Sequence, residues 1–122
     1  MQLLKSKKIT YSKGSKMVWA VIGHGGYIHI IYMVEKGERE LWYKKINQDL
    51  SCMTTKLLVS SENPQPSSCY MAGDTLYLLY VDDRTGNPEL YITKLNTVTL
   101  SKKARRLTWT AGSEASATLT VD

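Results

Sequence analysis

Residues 32–47, YMVEKGERELWYKKIN, are answered by residues 80–96, YVDDRTGNPELYITKLN, and this internal repeat limits the folds open to the chain more than any other feature. Glu, Leu, an aromatic, a Lys four residues after the Leu and a closing Asn recur from Glu40 to Glu89 at a shift of 49. The same shift carries Ile9 in KKIT to Leu58 in KLLV, and Leu58 to Leu107 in RRLT. Between these anchors GGYIHIIY (25–32) matches GDTLYLLY (73–80) at a shift of 48, so one residue is made up in the following loop. A fixed period of roughly 20 to 50 residues is the signature of solenoids, arrays and propellers.

Each period reads as β-structure. YIHIIYMV, ELWYKKIN, TLYLLYV, ELYITKLN and RRLTWT are rich in β-branched and aromatic residues, which suit a half-buried pleated surface. GHGG, EKGE, NPQP, AGD, DRTGNP and TAGS separate them with residues that supply turn geometry. No segment carries a helical period. The pattern predicts an outer strand at 5–11, inner-to-outer sets at 17–22, 27–34, 39–46, 53–60 and at 67–72, 75–82, 88–95, 103–110, and a last inner strand at 116–121. Four antiparallel strands per period make the blade of a β-propeller.

The predicted fold is therefore all-β, with one domain over 1–122. Repeat 1 runs about 9–57, repeat 2 about 58–106, and a partial repeat 107–122. It holds two four-stranded antiparallel blades, an orphan outer strand before them and an orphan inner strand after. Two blades cannot close a ring. The initial Met reads as a chain made as it stands, which favours completion by oligomerisation over excision from a longer ring. An antiparallel β-sandwich is the alternative fold.

RRLTWTAGSEASATLTVD, together with LYLLYVDDRTGNPELYITKLN, resembles the blades of sialidase-like propellers. In those an L-T-x-T turn leads into a T-V-D inner strand, followed by a D-D-R-x-G-N-x-E-[LI]-Y turn and strand. The resemblance spans nearly the whole chain at the level of the blade. It implies a propeller fold and, for members that are sialidases, hydrolysis of terminal sialic acid through three arginines, a Tyr–Glu pair and an acidic acid/base. That set is not found: the only arginines are Arg39, Arg84, Arg105 and Arg106, and the S-x-D-x-G-x-x-W box is absent.

On the blade reading, the turns between second and third strands and between outer and next inner strands share one end of the sheets. Candidate ligand-binding residues there are Glu35, Arg39, Asp82, Asp83, Arg84 and Asn87, beside Glu62, Asn63 and Gln65. Asp and Asn also cap such turns through their own backbone. His24 and His29 lack a partner at metal-ligand spacing, and His29 aligns with Tyr77, which makes it a packing or hydrogen-bonding position. Trp19, Trp42 and Trp109, with Tyr32 and Tyr80, read as packing aromatics between blades. No catalytic constellation, metal site or cofactor is expected.

The net charge of +5 admits an anionic partner. Lys7, Lys56 and Arg105 nevertheless share one repeat position on the outermost strand, where cations keep an open sheet edge from pairing with other chains. Edge protection is thus preferred to nucleic-acid binding. Cys52 and Cys69 are too few for a disulfide framework and read as half-buried reduced thiols. Neither a signal peptide nor a long apolar run is visible, which places the chain in the cytoplasm by default. The leading expectation is a non-catalytic, self-assembling propeller-type module whose partners are further copies of itself and, through its loops, carbohydrate. A sialidase-type glycoside hydrolase, or a fragment of one, is the alternative, and an anionic-polymer binder stands third.

Overall fold

The computed structural model describes residues 15–51 and 53–109. The strands expected at 5–11 and 116–121, and Cys52, lie outside the described residues. Eight strands follow one another: β1 (Ser15–His24), β2 (Tyr27–Lys36), β3 (Glu38–Asn47), β4 (Met53–Ser61), β5 (Gln65–Ala72), β6 (Thr75–Asp82), β7 (Glu89–Asn96) and β8 (Lys102–Arg106). They form two four-stranded sheets in the orders β1-β2-β3-β4 and β5-β6-β7-β8, antiparallel throughout, so each repeat is a meander. The fold is all-β, and no described helix is long and apolar enough to cross a membrane.

The turns explain the meanders. Gly37 and Gly86, at φ 97° and 98°, take the left-handed backbone that closes β2–β3 and the β6–β7 loop. Leu50 and Leu100 adopt the same conformation, at φ 66° and 64°, in the two turns that lead to the outer strands. Their amides bond back to Asn47 O and Asn96 O at 2.9 and 2.8 Å, and their side chains pack against the core. For a leucine this backbone costs about 1 kcal/mol or more, which the packing offsets.

β8 ends at Arg106, earlier than the expected 110. Leu107 N still donates to Leu90 O at 2.7 Å, but Leu90 N donates to the Thr108 hydroxyl at 2.9 Å. A side chain thus replaces the next rung of the ladder and the backbone leaves the sheet. Bulges at Trp19, Leu58 and Ser67 shift the register of the remaining edges.

Both faces of each sheet are apolar. Ile31, Leu41 and Tyr43 of the first sheet pack with Leu76, Leu78, Tyr80, Tyr91 and Leu95 of the second. Ile30, Tyr32, Val34 and Ile46 form a separate buried cluster on the other side of the first sheet. The repeat relates these sets in a particular way. Ile28, Ile30, Tyr32, Trp42 and Ile46, on the far face of the first sheet, correspond to Leu76, Leu78, Tyr80, Tyr91 and Leu95, on the near face of the second. The sheets therefore stack in the same sense, each presenting a different face to its neighbour. In a symmetric pair, equivalent faces would meet.

Candidate functional site

The β2–β3 turn, the 62–64 link, the β6–β7 loop and the segment after β8 gather at one end of the two sheets. Glu35 and Arg39 face each other across the first hairpin. Arg39 Nε and Nη2 donate to Glu35 Oε1 at 2.9 and 2.5 Å, and Nη1 reaches Pro64 O at 3.4 Å. One side chain thereby ties the hairpin to the link between sheets. With Ser15, Gly37, Glu38 and Glu62 the pair lines a polar cleft of about 360 Å³.

Asp82 is buried at the end of β6, accepting from Ser61 Oγ at 3.1 Å and from Arg84 Nε at 2.5 Å. The Arg84 guanidinium lies 4.4 Å from the centre of the Tyr91 ring and donates to the Tyr80 hydroxyl at 3.3 Å. Tyr80 and Tyr91 stack at 5.5 Å beneath it. Burial lowers the Arg84 pKa, but the bonds to Asp82 and Tyr80 outweigh burial and leave it above its ordinary value. Burial raises the Tyr80 phenol. Asp82 and Arg84 are thus committed to each other. Asp83 and Asn87 remain exposed on the loop, as do Glu62, Asn63 and Gln65 beyond β4.

The six candidates consequently divide into three groups: Glu35 and Arg39 in the cleft, Asp82 and Arg84 as an inward ion pair, and Asp83 and Asn87 at the loop tip. Glu89, read from the sequence only as a repeat anchor, proves to belong to this end. It is completely buried directly opposite Asp82. Its Oε2 accepts from Thr108 Oγ1 at 2.5 Å and lies 3.9 Å from Arg106 Nη2, while Oε1 has no hydrogen-bond partner among the described residues. The signal for Glu89 was its recurrence with Glu40, since a recurring acid amid apolar strand residues is a candidate for buried pairing.

The opposite end holds a second polar cluster. His29 Nδ1 and the Tyr43 hydroxyl are 2.7 Å apart, and His29 Nε2 lies 3.1 Å from His24 O. Burial lowers the His29 pKa, a contact with the His24 carbonyl opposes it, and the net shift is downward. Lys45 Nζ sits over the Tyr27 ring at 4.1 Å and donates to Thr97 O of the second sheet at 3.1 Å. Cys69 is half-buried, and burial pushes its thiol up. Among the described residues no group of three His, Cys, Asp or Glu could hold a metal ion.

No family model, curated protein or solved structure matches the chain.

Proposed function

We propose that the chain is a non-catalytic pair of propeller-type blades that assembles with further copies and binds ligands at its loop end. The observation that carries this reading is the same-sense stacking of two sheets that are apolar on both faces. A sandwich turns one apolar face of each sheet inward and the other to water. A propeller blade lies between two neighbours and has apolar side chains on both faces, as these sheets have. Exposed Met17 and Val21 on β1, at 62% and 61%, add an open apolar margin of the kind that marks an interaction surface.

Carbohydrate is the ligand class suggested by the sialidase-like blade pattern. Asp83, Asn87 and the Glu35–Arg39 cleft offer carboxylate, amide and guanidinium groups to hydroxyls. A hydrolase is disfavoured by a positive observation: Asp82, a buried carboxylate of this end, is engaged by Ser61 and Arg84. Light scattering coupled to gel filtration tests the assembly, with a discrete multiple of 13.8 kDa expected. A monomer at every concentration overturns it. A glycan array tests the ligand class, and turnover of a fluorogenic sialoside would replace the binding reading with the hydrolytic one.

A further inference from the structure

The junction between the two sheets has an equivalent, still open, on the far side of the second sheet. At the existing junction a cavity of about 190 Å³ is bounded by Tyr27, Lys45, Asn47 and Thr54 of the first sheet and by the turn residues Thr97, Val98 and Leu100 of the second. Lys45 anchors that turn by donating to Thr97 O at 3.1 Å. The repeat carries Tyr27, Lys45, Asn47 and Thr54 onto Thr75, Lys94, Asn96 and Lys103. These four line one open pocket of about 330 Å³ with Ser101 and Lys102.

Resting on the assembly reading, we propose that this pocket, on the far side of one copy's second sheet, receives the β3–β4 turn of a second copy. The docking turn is Asn47-Gln48-Asp49-Leu50-Ser51. It matches Asn96-Thr97-Val98-Thr99-Leu100-Ser101, which fills the internal junction, except for one extra residue in the latter. Each turn places one leucine, Leu50 or Leu100, in the left-handed conformation with its amide bonded back to the leading asparagine.

Charge selects this occupant. Inside the chain Thr54 and Val98 line the junction, and both are neutral. At the proposed one the equivalents are Lys103 and Asp49, and both are exposed. Lys94 and Lys103 are also directly opposite each other across β7 and β8. Like charges so placed are unfavourable in an isolated sheet, and neither joins an ion pair among the described residues. An incoming carboxylate and turn carbonyls would relieve both. On the partner's side, Val18 and Val21 stand opposite Tyr32 and Ile30 on the same far face and remain 58% and 61% exposed. A contact between unlike surfaces repeats from copy to copy and closes into a ring or runs on as a filament.

The test is a charge-reversal cycle on the full chain: Lys103→Glu, Asp49→Lys and the double variant, with solution mass measured over a concentration series and far-UV circular dichroism confirming the fold. Asp49 also caps its own turn through Ser51 N, so Asp49→Asn, which keeps the cap and removes the charge, guards against a variant that fails to fold. Each reversal is expected to raise the dissociation constant about tenfold, and the double variant to recover most of the loss. Asp49→Asn should move it in the same direction by less. Wild-type assembly that ignores both reversals overturns these faces and leaves self-association standing. Loss in both single variants without recovery in the double overturns the Lys103–Asp49 pairing. A wild-type monomer at all concentrations overturns this inference and the assembly reading together.

Discussion

The two sheets share a backbone plan and differ in how they hold their recurring glutamate. In the first sheet Glu40 accepts from the Trp42 indole at 3.1 Å and lies 3.5 Å from Lys36 Nζ, with buried Val34 opposite it in the ladder. In the second sheet each of these neighbours has changed. Val34 becomes Asp82, Lys36 becomes Arg84 and Trp42 becomes Tyr91. Arg84 is drawn to Asp82, Tyr91 stacks on Tyr80 and has no indole N–H to give, and Glu89 turns to Thr108 from beyond the sheet. One Glu89 oxygen is left without a partner among the described residues. The ladder survives replacement of its polar contacts because backbone pairing and the apolar alternation set it, whereas the ion pairs follow the side chains available.

Transplanting the difference is the strongest way to break the comparison. Val34→Asp places a carboxylate at a position 1% exposed in the first sheet, with no guanidinium to meet it and with Lys36 already on Glu40. Urea unfolding should show a loss of about 3 kcal/mol or more, the scale for an uncompensated buried charge. A loss under about 1 kcal/mol would mean that Lys36 changes partner freely and that the sheets are interchangeable at this point. The second effect belongs to Thr108. Thr108→Val removes the acceptor of Leu90 N–H and the donor to buried Glu89, which should cost about 2 kcal/mol in the same measurement. An unchanged midpoint would show that Glu89 is held by Arg106 instead.

The positions of the strands were legible because the repeat and the period-2 alternation are local properties, and β2, β3, β6 and β7 lie within a residue or two of expectation. The polar contacts were not, because they depend on which face of a strand meets the other sheet. Asp82 reads as a loop acid beside Asp83, and a single step along the pleat separates the buried one from the exposed one. Glu89 was visible only as a recurring letter, since its burial follows from pairing with Asp82 across a six-residue loop. The end of β8 escaped because the Thr108 hydroxyl stands in for a backbone rung, and no strand propensity encodes that substitution.

The other end of the sheets sharpens the comparison through pH. His29 is buried, and its counterpart Tyr77 is only half-buried. Since burial is the first cause holding the folded His29 pKa below its ordinary value of 6.5, the unfolded chain takes up this proton more readily. Its contribution to stability is complete above about pH 6.5 and is lost as the pH falls toward the lowered folded value. Melting temperatures compared at pH 7.5 and 5.5 should fall further for the wild type than for His29→Gln. Equal falls would show that His29 is protonated in the folded state, with its Tyr43 and His24 contacts rearranged.

The smallest effect is expected at the Glu35–Arg39 pair, even though it is the best-formed ion pair of the loop end. Arg39 places two nitrogens on one carboxylate oxygen, but the Glu35 side chain is 55% exposed and water screens the attraction. Arg39→Ala should therefore cost less than about 1 kcal/mol in urea unfolding. Its larger consequence should be local, because Arg39 also reaches Pro64 O and so ties the first hairpin to the link between sheets. Limited proteolysis should then cut faster at residues 62–64 with the global midpoint nearly unchanged. A loss above about 2 kcal/mol would instead make this contact a cooperative part of the junction, comparable to the Asp82–Arg84 pair of the second sheet, whose carboxylate is buried.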